Sequence, residues 1–223
     1  MLPHRIYAQD VEAKLAQRAD FTPAATNVWE QLVQVAQHYK IPMGIEWVLQ
    51  PEAEHINPVK SASTVMGLLN SILQSTPNYS LTVRNGVVNV SYSRYAVDSH
   101  NFLNLRIDKF IVTKANVFDA QAELRFKIHT RLHPERYVGG TNGGYGVPEG
   151  DGLDIENISF SATDLTVREI LDRIVLSNGN TLWLVNLAPS RRMENEPFFA
   201  QFQAKQERDF FWSIIPFEKS SQQ

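Results

Sequence analysis

The chain has 223 residues and no cysteine. That removes disulfides, thiol nucleophiles and cysteine-ligated zinc from its chemistry. It leaves the compartment open, because such a chain is stable under oxidising and reducing conditions alike. Long apolar runs are missing too: none approaches the roughly 20 residues of a membrane span. An excess of charge of one sign is also lacking. The 21 Lys and Arg stand against 24 Asp and Glu, spread through both halves, for a formal net charge of −3. No basic field exists to attract nucleic acid, so none is expected as a partner. Residues 1–20 lack the apolar core of a signal peptide. The protein is then either cytoplasmic or shown without a leader that has been removed.

Catalytic motifs are absent as well. There is no GxSxG elbow, no Gly-rich loop running into Lys-Ser/Thr, and no dinucleotide fingerprint between a strand and a helix. The chain is expected to be no enzyme and to hold no cofactor or metal.

What is present is the patterning of a folded α+β protein. Apolar residues make up 43% and charged residues 20%, enough to build a core. The organising stretch runs from Ser63 to Tyr92: a short helix with Val65, Leu68, Leu69, Ile72 and Leu73 at helical spacing, then a hairpin. Asn85-Gly86 is its turn, since a two-residue type I′ turn needs positive φ twice. An echo follows from Thr163 to Pro189. There Thr166 and Glu169 form a capping box, Val167, Ile170, Leu171, Ile174 and Val175 make the stripe, and Asn178-Gly179 closes the helix.

Before the first copy, Asn27 and Glu30 open a helix carrying Val28, Leu32, Val35, Ala36 and Tyr39, and Gly44–Leu49 reads as a strand. A weak helix or frayed lead-in is expected over 4–18, and a short strand is possible at Ala19–Thr22. Before the second copy, alternation from Leu103 through Val112 predicts a strand, and Asn116 caps a helix facing inward with Val117, Ala120, Leu124 and Ile128. Strands are expected around Ile155–Phe160, over 182–187, and at the end over 210–217.

The fold expected from this is α+β, as two tandem small units spanning 20–97 and 98–217, each a mixed sheet with two helices packed on it. The second carries a Gly-rich insertion at 137–152, which holds seven of the 11 glycines and reads as a long mobile loop.

The helix VWEQLVQVAQHY with IPMGIEWV, then TVMGLLNSILQSTPNYSLTVRNGVVNVSY, and in the second unit LTVREILDRIVLSNGNTLWLV, resemble the secretin and TonB receptor short N-terminal domain and the related N-domains of secretins. That resemblance implies a non-enzymatic interaction or scaffolding module in a bacterial periplasm or cell envelope, with a protein partner that could be an envelope complex. A cytoplasmic setting stays open.

Each candidate site has a bland counterpart. His129 and His133 lie four apart, but the position after the first is Thr130 rather than the Glu of a zinc-protease helix, and no third ligand is evident. The stretch 137–152 contains a GxxG at Gly140–Gly143. Without Lys or Arg between Tyr137 and Ile158, and with Glu149, Asp151 and Asp154 beside it, it reads as a surface loop and not an RNA clamp. Asp151, Asp154 and Glu156 lack the offsets of a calcium loop.

Tyr137 and Tyr145 are candidate anchors if that loop orders on a partner. Phe210, Phe211 and Trp212 are candidates for an aromatic patch, because three adjacent large side chains cannot share one face of a strand. The same reasoning makes one of Leu182, Trp183 and Leu184 exposed or covered by a partner. Binding is expected through a sheet edge or that aromatic patch. The alternative is a small-molecule or glycan binder, or an enzyme, with a site between the units under the Gly-rich loop.

Overall fold

The structure, a computed structural model, describes residues 3–48, 62–97, 101–132, 157–179, 181–187 and 210–216. In chain order these form α1 (Pro3–Ala16), α2 (Val28–Tyr39), β1 (Met43–Val48), α3 (Val65–Leu73), β2 (Tyr79–Arg84), β3 (Val87–Tyr92), the single turn α4 (Ser93–Ala96), β4 (Arg106–Ala115), α5 (Val117–Leu132), β5 (Ile158–Thr166), α6 (Val167–Asn178), β6 (Thr181–Leu187) and β7 (Phe210–Pro216). The class is α+β, as the sequence implies.

The local signals act as their chemistry dictates. Asn27 Oδ1 accepts from Glu30 N at 2.9 Å to cap α2, and Thr64 Oγ1 accepts from Gly67 N at 3.2 Å to cap α3. Thr166 and Glu169 form a reciprocal capping box on α6, and Gly179 ends that helix at φ +75°. Asn85 and Gly86 take φ +52° and +85° in the β2–β3 turn. Two local expectations fail. Residues 19–22 form no strand, and Phe102–Asn104 is a 3₁₀ turn that buries Phe102 and Leu103 before β4 begins at Arg106.

The sheets join what the sequence divides into two stretches. Five strands lie in the order β2-β3-β1-β6-β7, and β4 pairs with β5 in a separate two-stranded ribbon. β1 is central and parallel to both β3 and β6, while β2 and β7 fold back antiparallel on the outside. The main sheet therefore draws three strands from the first stretch and two from the second.

Both faces of this sheet are covered. On one side Met43, Ile45, Val88, Val90, Leu182 and Leu184 pack beneath α1, α2 and α3. On the other Trp183, Val185 and Ile214 join α5, α6 and the β4–β5 ribbon. Leu182, Trp183 and Leu184 are all buried, at 0%, 1% and 4% exposure. The expectation that one of them lies exposed or under a partner is corrected: alternation sends them to opposite faces, and each face has its own core.

α6 is the pivot of the second face. It packs against β5, α5, β6, β1 and the 102–104 turn. Its apolar residues Ile170, Leu171, Ile174 and Val175 are fully buried, but so are Arg168 and Asp172 at 6% and 3%.

Candidate functional site

Two buried carboxylates hold α6 to the sheet. Gly44 of β1 pairs with Asn89 of β3 on one side and Trp183 of β6 on the other. A Cβ at Gly44 would stand 2.2 Å from Trp183 Cε2, so the indole uses space that only glycine leaves. Asp172 accepts from Trp183 Nε1 at 2.8 Å, from Arg84 Nη2 at 3.1 Å and from Asn89 Nδ2 at 3.3 Å. Burial nevertheless raises the Asp172 carboxyl above its ordinary range, outweighing these donors. Two residues along β1, Glu46 is completely buried and accepts from Arg168 Nη1 at 2.9 Å and Asn101 Nδ2 at 2.6 Å.

These groups resemble acid–base machinery only in composition. Glu46 is sealed from solvent and Asp172 nearly so, at 0% and 3% exposure. Their chemistry is cross-linking: they tie α6, β1, β2, β3, β6 and the turn at Asn101 into one unit. Where the two sequence stretches meet, these side chains occupy the interface.

The surface offers different material. β2 is an outer strand of the main sheet, and no described strand covers its outer side. Its sequence YSLTVR has one charge, on Arg84, and that guanidinium is engaged by Asp172 at 3.1 Å. Thr82 is exposed and Val83 is 38% exposed. Pairing with β3 runs through six residues without a bulge.

The β4–β5 ribbon contrasts with it. Exposed Arg106, Asp108, Lys109 and Lys114 line β4, and its register shifts between Val112 and Ala115. Charges and bulges are what guard a strand edge against pairing. β2 has no bulge, and its one charge is engaged by Asp172.

Of the sequence-derived anchors, Tyr137 and Tyr145 lie outside the described residues, as does the stretch 137–152. Phe210, Phe211 and Trp212 are placed as the first residues of β7, opposite Leu187, Asn186 and Val185 of β6; of them the backbone alone is described. They sit at the far edge of the sheet from β2 and share no site with it. His129 falls on α5 and His133 outside the described residues. Among the described residues no three His, Asp or Glu gather in a group that could hold a metal ion, and no helix is long and apolar enough to cross a membrane.

Sequence reasoning missed the buried pairs. Glu46, Arg168 and Asp172 sit where alternation and helical spacing put polar groups on a solvent face. The one available signal was the clash between a polar face on α6 and Trp183, whose indole N–H needs a buried acceptor.

The chain matches no family model, no curated protein and no solved structure.

Proposed function

We propose that this protein is a non-enzymatic interaction module that takes up an extended segment of another protein along β2. The observation that carries the reading is the weakly guarded edge: an unbulged outer strand whose one charge, Arg84, is engaged by Asp172, with exposed Thr82 and Val83. Main-chain N–H and C=O groups on the outer side of such a strand are a template for one more strand, and alternate side chains add selectivity. The rigid backing supports this. β2 rests on β3, and Arg84 at its end is tied through Asp172 to α6, so little order is lost when a partner docks. The proposal keeps the cell-envelope setting implied by the secretin-like pattern, which fractionation of the source cells tests separately.

The test of the binding mode is site-specific photo-cross-linking of the full chain in its source cells. A cross-linker at Val83 should give a discrete adduct that disappears when Thr82→Lys places a charge on the edge. A cross-linker at Ile111, 49% exposed on the guarded ribbon, should give none. Equal adducts from both positions, or an adduct indifferent to Thr82→Lys, would overturn the reading.

A further inference from the structure

We infer that the groove between β4 and α5 binds a small anion carrying an apolar body, such as an aryl or acyl phosphate or carboxylate. The groove is open and encloses about 400 Å³, within the range of small-ligand sites. Arg106 and Lys109 line it from the strand, Lys127 and Arg131 from the helix, and Asp108 is the single carboxylate in the lining. Counting Asp164 on Arg106 and Glu123 on Lys127 with Asp108, four cations stand against three carboxylates, a local excess of one positive charge in a chain of net charge −3.

The cations are not equivalent. Arg106 is clamped by Asp164, with Nε and Nη2 each donating to the carboxylate at 2.7 Å. Lys127 lies 3.4 Å from Glu123, one turn back on α5. Lys109 and Arg131 have no ion-pair partner among the described residues, and they line the groove from different elements. Lys127 and Arg131 are also four apart on α5, a spacing at which like charges repel. Arg131 in the last turn of α5 meets the helix dipole there, which accounts for one cation. It does not account for Lys109 on the strand opposite. An anion in the groove would be attracted by both unpaired cations.

The rest of the lining defines the ligand further. Ile107 and Phe126 also line the groove, the first buried and the second 37% exposed. Thr130 adds a hydroxyl whose proton goes to the Phe126 carbonyl at 2.9 Å, which leaves its oxygen free to accept. A lining of cations together with two apolar side chains suits a charged head with a hydrophobic tail better than a bare inorganic ion. The inference uses none of the residues of the β2 edge and stands or falls apart from it.

Phenyl phosphate is the probe, titrated into the full chain with amide NMR shifts as the readout. Saturable shifts are expected at residues of β4 and α5. Replacing both Lys109→Gln and Arg131→Gln should weaken binding about tenfold or more, the loss expected for two charge-assisted contacts. Arg125→Gln, exposed on α5 but outside the groove, should bind like the parent. Inorganic phosphate should bind more weakly than phenyl phosphate. No saturable shift, an equal loss in Arg125→Gln, or inorganic phosphate binding as tightly would each overturn the inference. Because Lys109 and Arg131 are exposed, unchanged thermal melting of the double variant separates lost binding from lost folding.

Discussion

The indole of Trp183 stands where a side chain at Gly44 would have to be: a Cβ there would lie 2.2 Å from Cε2 and 2.3 Å from Cζ2. The two residues face each other across the parallel β1–β6 pairing, and the ring is 1% exposed. Gly44→Ala should therefore destabilise the protein by about 1–3 kcal/mol through overpacking. Urea unfolding checks this. In a Trp183→Leu background the same change should cost less, because the obstructing ring is gone. Strict additivity of the two substitutions would show that they do not share one space.

Asp172 sets a pH dependence with a definite sign. Burial raises its carboxyl in the native state, so the folded chain holds the proton at pH values where the unfolded chain has released it. Its contribution to stability is full below the ordinary carboxylate value of about 4 and is lost as pH rises through the raised native value. Asp172→Asn removes the titration. The stability of the parent minus that of the variant should then shrink from acid toward neutral pH, measured by urea unfolding across the range. A growing difference would mean that the donors from Trp183, Arg84 and Asn89 outweigh burial.

Arg168 and Glu46 form a pair almost sealed from water, at 6% and 0% exposure. Arg168→Met leaves Glu46 charged and buried with Asn101 as its remaining partner, and should cost about 3–5 kcal/mol. The double change Arg168→Met with Glu46→Leu should recover much of that loss. Arg168 Nη2 finds no hydrogen-bond partner among the described residues, so the ionic arrangement is not an optimum. Denaturant midpoints of the three variants decide it.

Thr166→Ala removes one half of the capping box, in which Thr166 Oγ1 accepts from Glu169 N at 3.2 Å and Glu169 Oε2 accepts from Thr166 N at 2.8 Å. The loss should be about 0.5–2 kcal/mol. Thr166→Ser, which keeps the oxygen, should recover most of it. A Thr166→Ala variant with an unchanged melting temperature would remove the cap from the energetics of α6.

Local chemistry was legible in the sequence, and long-range pairing was not. The caps at Asn27 and Thr166, the turn at Asn85-Gly86 and the inward stripe Val117, Ala120, Leu124 and Ile128 all follow from neighbours within a few residues. The neighbour of β1 on its second side is β6, more than a hundred residues away, and no local pattern marks a parallel partner at that distance. For the same reason the apolar stripe on α6 describes only part of what that helix buries. Its polar residues Arg168 and Asp172 are matched by Glu46 and Asn89, which lie on strands from the other stretch. The β2–β3 hairpin was legible from its Asn85-Gly86 turn. Its place at the outside of the sheet was not.

The central position of β1 also orders events in time. A ribosome releases β1, β2 and β3 long before it releases β6, so the middle of the sheet waits with one side unpaired while most of the chain is still being made. Closing that gap joins segments far apart along the polymer, which is an entropically slow step. Refolding from denaturant should accordingly show its slowest phase in the environment of Trp183, whose ring comes to rest over Gly44 only when the late hairpin arrives.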